Sequence, residues 1–381
     1  TGNTALQAGP QVGYFLPQAL TDFGLHSADG KLDATGMTFA GAAPAVLIGR
    51  GPGFAWTTTT GSSDLSDTYI EKLNPDNPRQ YLYNGAYEDM ECRTESYAFR
   101  GLIPIDEQEI CRTRHGPVVA FDEANGVAYS QRYSWFNREV QTVEGFFSYN
   151  RVKSVNDFAT FANFLGSNHN MFYVDDQGHY GYWHPGNHPV RAEGIDIRLP
   201  QDGTGGSEWQ GLLPIQDVPH AVDFPRAWLG NWNNQPALGW KRERGWDAID
   251  NTADLFRTLD PNQEAVNDPL SGEPINADRK LSFEDLSGNL RYAAFKDHNH
   301  TYFGPFVPDE AALAGASILA QKAATELRTW DGFRTDRDED GLWDSAGPTI
   351  QREWITQMRA MAFNDDLGAS AGWADENLLW H

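Results

Sequence analysis

The chain has 381 residues, of which 40% are hydrophobic and 13% aromatic, so it can bury a sizeable core and is not a generally disordered polypeptide. Its formal net charge of -24 excludes nucleic acid as a partner, because such a surface cannot neutralise a run of phosphates, and it also excludes an anionic membrane surface. The sequence has no apolar run of about 18 residues, which excludes a membrane-spanning helix within it.

The first two thirds of the chain are rich in short stretches of β-branched and aromatic residues separated by turn residues, a pattern typical of β-strands. Predicted strands cover residues 5–15, interrupted by Gly9-Pro10, and residues 44–49, 54–61, 81–83, 96–99, 117–121, 127–129, 171–175 and 180–183. Between the first strand and Ala40 the sequence has several Gly/Asp turns and is predicted to be loop-rich.

Helical signals appear later in the chain. A helix is predicted over residues 154–165, where Ser154 can cap the N-terminus and apolar residues recur on one face. From Thr252 onward the chain is predicted to be mainly helical, including the Ala-rich residues 309–330. We therefore divide the sequence into a strand-rich region, residues 1–251, and a mainly helical region of the same fold, residues 252–381.

The only two cysteines, Cys92 and Cys111, lie on either side of a plausible turn at residues 101–104. Two β-rich arms around that turn would place the cysteines opposite each other, which predicts a disulfide and an oxidising compartment. The alternative is two free, buried thiols.

Residues 229–236 read Leu-Gly-Asn-Trp-Asn-Asn-Gln-Pro, with three asparagines around one tryptophan. Asparagine side chains compete for nearby backbone groups, so the cluster predicts a turn or strand end with amides aimed at defined partners. An amide NH2 is also a donor that cannot lose its proton, which suits an oxyanion hole. The alternative is a polar loop with Asx turns and a buried Trp.

An acidic loop at residues 336–344 alternates Asp with other residues and continues into Gly341. Asp336, Asp338 and Asp340 resemble the start of a calcium-binding loop, although no later bidentate Glu follows. The alternative is a solvated acidic connection between helices. Four histidines at strand ends, His169, His179, His184 and His188, fit no metal-site spacing and are interpreted as ordinary loop residues.

Ten segments along the chain follow an order that points to one family. They are residues 9–14 (Gly-Pro-Gln-Val-Gly-Tyr), 24–26, 56–61, 64–67, 71–73, 112–116 (Arg-Thr-Arg-His-Gly), 173–178, 211–214 (Gly-Leu-Leu-Pro), 231–234 (Asn-Trp-Asn-Asn) and 328–332 (Arg-Thr-Trp-Asp-Gly). Over nearly all 381 residues, this order resembles the large (β) chain of the penicillin acylase family, which belongs to the N-terminal nucleophile hydrolases.

The resemblance implies an α+β fold, a four-layer αββα sandwich of two antiparallel sheets with a helical C-terminal third. It implies an amidohydrolase that releases an acyl group from an amine, with penicillins and acyl-homoserine lactones among the family's small-molecule substrates. It further implies structural Ca²⁺, a smaller helical α chain cut from the same precursor, and a periplasmic or extracellular location.

The resemblance also assigns roles to individual residues. The side-chain amide of Asn233 and the backbone N–H of Thr60 match the two oxyanion-hole donors, and Gln11 matches the residue whose backbone lies near the amine of the nucleophile. The acyl pocket is matched by Val12, Ile48, Thr58 and Met171. The calcium site is matched by Asp64, the backbone carbonyl of Ser66, and Asp67.

The nucleophile of this family is the N-terminal residue of the β chain, usually Ser, and its free α-amine acts as the base. Only eight residues precede Gly9 here, whereas a strand and a turn are needed there. The first strand with its Ser is therefore expected upstream of Thr1, and a C-terminal part is expected beyond His381. Thr1 is the alternative nucleophile, although it precedes a turn pair, Gly2-Asn3.

The rival hypothesis is a non-catalytic secreted relative that keeps the fold and acts as a calcium-binding or carbohydrate-binding β-rich protein. Carbohydrate binding rests on the 13 Trp and 14 Tyr residues, which would form a row of exposed rings. A Ser, Thr or Cys after a spacer in the precursor would favour the enzyme instead.

Overall fold

The computed structural model of the protein describes residues 3–9, 12, 16–41, 45–97, 106–240, 249–260, 262–278 and 280–368. These residues divide into two compact units. Unit 1 contains the described residues up to 227 together with 231–240, and unit 2 contains 228–230 and those from 249 onward. In the described part of the chain, no helix is long and apolar enough to cross a bilayer.

Unit 1 is built mainly from strands. The strands are β1 (Leu20–His26), β2 (Asp33–Phe39), β3 (Ile48–Gly51), β4 (Phe54–Thr60), β5 (Ser66–Asn74), β6 (Asn77–Tyr83), β7 (Ala86–Asp89), β8 (Glu91–Tyr97), β9 (Asp106–Thr113), β10 (Gly116–Asp122), β11 (Val127–Tyr133), β12 (His169–Asp175), β13 (Tyr180–Trp183), β14 (Pro189–Val190), β15 (Gln201–Asp202), β16 (Gly211–Leu212) and β17 (His220–Val222). Its helices are α1 (Glu139–Tyr149) and α2 (Val155–Ala162).

One sheet of unit 1 has seven strands in the order β1-β2-β3-β4-β12-β13-β17, and its neighbouring strands are antiparallel. At its centre β4 pairs with β12, so that Thr58 lies opposite Met171 and Thr60 lies opposite His169. Threonines suit such a strand because β-branched side chains pack well on a half-buried pleated surface. The pairing brings the end of β4 to the start of β12.

The other large sheet has the order β7-β6-β5-β11-β10-β9-β8, again with antiparallel neighbours, and β15 adds to β5 as a parallel strand. A core of buried side chains fills one part of it: Leu73, Tyr81, Met90, Cys111 and Ala128. Strand β5 alternates buried and partly exposed residues along its length, as expected where one face of a sheet is covered.

The main core of unit 1 lies where α1 and α2 pack on the seven-stranded sheet. Trp56 and Met171 from the sheet meet Tyr149 and Phe158 from the helices there. The predicted cap of α2 is confirmed, since Ser154 Oγ accepts a hydrogen bond from the backbone N–H of Asp157 at 3.1 Å. The helix ends at Ala162, three residues before the predicted end.

Unit 2 is mainly helical in its described part. Its helices are α3 (Ile249–Leu259), α4 (Phe283–Phe295), α5 (His298–Phe303), α6 (Ile318–Thr329) and α7 (Gly347–Leu367), and its strands are β18 (Val266–Asn267) and β19 (Pro274–Ile275). Ser282 and Asp285 form a reciprocal capping box at the start of α4, which satisfies two otherwise unpaired N–H groups. Leu327 and Trp330 are the most buried side chains of a core around α6.

Three predictions of local structure were wrong. Residues 20–39, predicted to be loop-rich, form the β1–β2 hairpin, because Phe23 packs against the main core although Gly and Asp interrupt the alternation around it. The strand predicted over 5–15 has no strand assignment at its described residues, 5–9 and 12. The helix predicted over 309–330 begins only at Ile318, because Ser317 caps it there by accepting from the backbone N–H of Ala320.

The predicted disulfide is confirmed. Cys92 and Cys111 lie directly opposite each other in the β8–β9 pair, with their Cα atoms 4.0 Å apart and their sulfur atoms bonded. The turn predicted at 101–104 lies outside the described residues.

The fold predicted from the sequence is confirmed at the level of class: the chain is α+β, with two large antiparallel sheets and a few helices.

Candidate functional site

The Asn-rich stretch forms a turn held by its own amides. Asn231 Oδ1 accepts a hydrogen bond from the backbone N–H of Asn233 at 2.9 Å, and Asn234 Oδ1 accepts one from the backbone N–H of Trp232 at 3.1 Å. Asn233 has a φ of 61°, in the left-handed region that Asn tolerates better than most residues. The predicted turn with amides on defined partners is therefore confirmed.

Asn233 and Thr60 meet although 173 positions separate them. Asn233 Nδ2 donates to the backbone carbonyl oxygen of Thr60 at 3.3 Å, at the exposed end of β4. An amide NH2 has two hydrogens, so a second N–H of Asn233 remains for another acceptor. The structure thus brings together the two residues matched to the oxyanion hole, and their role stays a prediction. Gln11 and Thr1 lie outside the described residues.

The four residues matched to the acyl pocket differ in their strand positions and in their exposure to solvent. Thr58 and Met171 face the same side of the β4–β12 pair, and Met171 is fully buried. Thr58 Oγ1 is buried and has no hydrogen-bond partner among the described residues. Ile48 begins β3, the other neighbour of β4, and Val12 is 39% exposed. Their role as pocket residues stays a prediction.

A buried polar network that the sequence analysis missed begins at Asn170, the second residue of β12. Asn170 Nδ2 donates to Thr59 Oγ1 and to the carbonyl oxygen of Thr60, both at 3.1 Å. Asn170 Oδ1 lies 2.9 Å from His184 Nδ1 and accepts from the Tyr182 hydroxyl at 2.6 Å. Asn170 and His184 are 0% and 1% exposed.

The network continues on both sides of these two residues. His184 Nε2 lies 2.5 Å from Ser63 Oγ, which accepts from the indole N–H of Trp240 at 2.7 Å. On the other side, Thr59 Oγ1 donates to Asn231 Oδ1 at 2.5 Å. Six side chains are thus linked one to the next by hydrogen bonds, and we call this series the relay: Trp240, Ser63, His184, Asn170, Thr59 and Asn231.

The interpretation of the histidines as ordinary loop residues was wrong for two of them. His184 and His188 are buried, with stacked rings whose centroids are 5.3 Å apart. Burial, reinforced by the neighbouring His188 and His169, lowers the pKa of His184 to about 2, so its ring is neutral. The sequence carries one signal for this, namely that His184 directly follows the apolar strand β13.

The predicted calcium ligands Asp64 and Asp67 are both buried and share one guanidinium. Arg191 contacts Asp64 Oδ1 at 2.9 Å and Asp67 Oδ2 at 2.7 Å, and the indole N–H of Trp209 donates to Asp67 Oδ2 at 2.5 Å. Carboxylate oxygens and the Ser66 carbonyl are ligands of the kind that Ca²⁺ prefers, but Arg191 already balances part of their charge. Calcium binding here stays a prediction.

The acidic loop of unit 2 is folded around Asp336. One carboxylate oxygen from each of Asp336, Asp338 and Asp340 lies within 4.8 Å of the others. The Asp336 carboxylate also accepts hydrogen bonds from the backbone N–H groups of Asp340 and Gly341, at 3.1 and 3.0 Å. Three converging carboxylates fit a hard cation by ligand type, and calcium binding at this loop stays a prediction.

A second buried cluster, which the sequence analysis also missed, lies on the other large sheet around Glu71. Glu71 Oε1 accepts from the hydroxyls of Thr113 and Ser130, both at 2.6 Å, and from His115 Nδ1 at 2.8 Å. His115 Nε2 lies 2.7 Å from Glu208 Oε1, and Arg132 contacts the same carboxylate at 2.9 Å. Burial alone would raise the pKa of Glu208, but its bonds from His115 and Arg132 hold that pKa below the usual value.

Comparison with known proteins gives one consistent answer. A family model described as penicillin amidase matches residues 1–380. The chain is 29% identical over 352 residues to penicillin G acylase of Escherichia coli, and this alignment covers 92% of the chain and 40% of that protein. It is 30% identical over 233 residues to the acyl-homoserine lactone acylase QuiP of Pseudomonas aeruginosa, covering 57% of this chain and 27% of that protein.

A solved structure agrees with these relatives. The thermostable penicillin G acylase from Alcaligenes faecalis superposes with a TM-score of 0.78 at 30% sequence identity, covering 96% of this chain and 63% of that one. The chain therefore spans 40% of the length of the E. coli relative and 27% of the P. aeruginosa one.

Proposed function

The chain belongs to the penicillin amidase family, and from that premise we propose that the protein hydrolyses a linear amide bond and releases an acyl group from an amine. One observation carries the proposal: the Asn233 amide lies at the end of β4, 3.3 Å from the Thr60 carbonyl oxygen. In acyl transfer, negative charge develops on the carbonyl oxygen of the substrate. Preorganised N–H donors lower the barrier by binding that charge.

The proposed roles follow from this placement. The second N–H of Asn233 and the backbone N–H of Thr60 bind the oxyanion. Thr58 and Met171, which face the same side of the sheet, line the acyl pocket together with Ile48 and Val12. The nucleophile is an N-terminal Ser that precedes Thr1 in the full protein, and its own α-amine is the base.

The proposal includes the assembly around this chain. A smaller helical α chain, cut from the same precursor, completes the enzyme, and the mature protein is periplasmic or extracellular. The Cys92–Cys111 disulfide supports that location, because disulfides persist in oxidising compartments. The two large sheets stack between helical layers as an αββα sandwich, and the TM-score of 0.78 to a penicillin G acylase supports this layering.

Structural Ca²⁺ is also part of the proposal, at Asp64, Ser66 and Asp67 or at the loop of Asp336, Asp338 and Asp340. Oxygen ligands from carboxylates support it at both places. Calorimetric titration of the chelated protein tests it: heat of binding that is lost in Asp336→Asn alone assigns the loop, and heat lost in Asp64→Asn alone assigns the other site. No heat of binding would remove calcium from the proposal.

The hydrolysis is tested on the mature protein made from its full precursor. Amine release from a phenylacetyl anilide and from an acyl-homoserine lactone should be measured for the wild type and for Asn233→Ala. Loss of one oxyanion donor should lower kcat by about 10²–10³-fold while the fold is kept. Gln235→Ala, in the same loop, is the matched control and should keep kcat. Full activity in Asn233→Ala, or no hydrolysis of either substrate by the wild type, would contradict the proposal.

A further inference from the structure

We propose that the relay positions the Asn233 amide, with His184 as the neutral link that sets the direction of its hydrogen bonds. This inference rests on the proposed function, because it concerns the same site. The relay residues are positioning residues: they act through Asn233 and do not touch the reacting atoms.

The direction of the relay follows from the chemistry of its ends. The indole of Trp240 is a donor only, so Ser63 Oγ must accept from it, and the Ser63 hydroxyl proton is then directed to His184 Nε2. At the other end, Asn170 Nδ2 donates to Thr59 Oγ1 and to the Thr60 carbonyl oxygen, which identifies Asn170 Oδ1 as the acceptor.

His184 has one tautomer that satisfies both neighbours. Since Asn170 Oδ1 accepts, His184 Nδ1 carries the proton, and His184 Nε2 accepts from Ser63. A doubly protonated ring would place a second donor against the Ser63 hydroxyl, which already receives the Trp240 N–H. The neutral ring therefore completes a chain in which every donor points the same way, from Trp240 to Asn231.

The relay resembles a nucleophilic triad in its distances, with Ser63, His184 and Asn170 in line at 2.5 and 2.9 Å. It is unsuited to that role, because Ser63 is 1% exposed and its oxygen is already bonded to Trp240. A nucleophile must reach a substrate carbonyl, and all three of these side chains are buried. Buried, fully paired polar groups of this kind instead fix a single local arrangement.

The relay ends on the residue that shapes the Asn233 turn. Asn231 Oδ1 accepts from Thr59 Oγ1 at 2.5 Å and from the backbone N–H of Asn233 at 2.9 Å. The second contact holds Asn233 at its φ of 61°. Asn170 and Asn233 also share the Thr60 carbonyl oxygen as acceptor, at 3.1 and 3.3 Å. The relay therefore contacts Asn233 in two ways. Asn231 binds its backbone N–H, and Asn170 binds the Thr60 carbonyl oxygen that accepts from its side chain.

The test compares two substitutions at Thr59 in the mature full-length enzyme. Thr59→Val keeps the shape of the side chain and removes its hydroxyl, and it should lower kcat about tenfold with KM little changed, because the hydroxyl's hydrogen bonds to Asn231 and from Asn170 are both lost. Thr59→Ser keeps the hydroxyl and should retain kcat. A packing role would give the opposite ranking, since Val is closer to Thr in shape, and that ranking would overturn the proposal.

Thr57→Val is the matched control, since Thr57 lies two residues earlier in β4, points to the same face and is 8% exposed. It is outside the relay and should keep kcat. His184→Phe breaks the relay further from the loop and should lower kcat as Thr59→Val does, whereas His188→Phe, which replaces the ring stacked on His184, should keep it. Equal effects of these two histidine variants would remove His184 from the relay.

A double-mutant cycle separates this inference from the proposed function. If Thr59 acts through Asn233, then Thr59→Val should have no further effect on kcat once Asn233→Ala is present. Additive losses would overturn the relay and leave the oxyanion role of Asn233 intact. Full activity of Asn233→Ala alone would overturn the proposed function instead.

Discussion

Two histidines of unit 1, His184 and His115, are equally hidden from solvent and lie in opposite chemical settings. They are 1% and 2% exposed. His184 lies between a hydroxyl and an amide oxygen, and one proton satisfies both of its nitrogens. His115 lies between the carboxylates of Glu71 and Glu208, at 2.8 and 2.7 Å.

The two histidines are equally buried, so their different roles must come from the groups that they contact. A neutral ring that is hydrogen-bonded to hydroxyls and amides fixes the orientation of these neighbours without burying a charge. Such an arrangement suits the edge of an active site. A ring between two carboxylates, one of which also contacts the Arg132 guanidinium, is part of an ion cluster, and removing one member of such a cluster leaves uncompensated charge in the interior. The arrangement around His184 positions side chains. The arrangement around His115 makes the stability of the sheet near Glu71 depend on every member of the cluster.

The largest expected effect is at the charged cluster. His115→Ala should lower the free energy of unfolding by about 3–5 kcal/mol, because it leaves the fully buried Glu71 carboxylate without its His115 partner. Urea unfolding of the mature protein measures this, and kcat per folded molecule should be unchanged.

His26→Ala is the control, because His26 pairs with Asp33 on the surface with 60% of its side chain exposed. Its unfolding midpoint should be nearly that of the wild type. If both variants unfold at the wild-type midpoint, the cluster around Glu71 does not depend on His115.

A smaller effect is expected from pH at the neutral histidines. Burial and the neighbouring Arg191 lower the pKa of His188 to about 4, and the pKa of His184 is about 2. Unfolded histidines titrate near about 6.5, so between that pH and about 4 the unfolded chain takes up protons that the folded chain does not. The free energy of unfolding should fall as pH falls, by up to about 1.4 kcal/mol per pH unit for each histidine.

The comparison of wild type with His188→Phe isolates this contribution, since all carboxylates titrate in both proteins. Unfolding measured at several pH values from 7.5 downward should give a shallower slope for the variant below about pH 6. Identical slopes would mean that His188 is not held neutral in the folded protein.

The smallest effect is expected at a third histidine, His179, which is exposed and bonds Asp223 at 2.7 Å. The hydrogen bond that His179 donates to the Asp223 carboxylate raises the pKa of His179, so its stabilising contribution is present below the ordinary histidine pKa and is lost as pH rises. The sign is opposite to that of His184 and His188. His179→Ala should leave the unfolding midpoint unchanged at pH 8, and a clear shift at that pH would contradict this.

The sequence predicts the elements that carry the candidate site better than it predicts the contacts within it. The strand ending at Thr60 is a continuous β-branched run, and the turn at Asn233 follows from its three asparagines, so both are local patterns. The relay is not local, because Ser63 and His184 are 121 positions apart. No period or spacing in one sequence encodes which partner a buried polar side chain meets.

The same limit applies to the errors in the fold. The β1–β2 hairpin was missed because a single packed ring, Phe23, anchors a strand whose other residues are mostly polar, small or exposed. The Arg191 contact with Asp64 and Asp67 joins residues more than 120 positions apart and could not be read from the acidic segment alone. Cys92 and Cys111 could be paired because the chain contains only these two cysteines.

The bond between Cys92 and Cys111 closes a covalent ring that includes every residue from 93 to 110. A protease that cuts once inside this ring opens it and releases nothing, since the two new chain ends remain joined through sulfur. Such nicked protein would migrate as one species on a non-reducing gel and as two fragments after reduction. The strands β8 and β9 thus stay tethered to each other even when the polypeptide between them is severed.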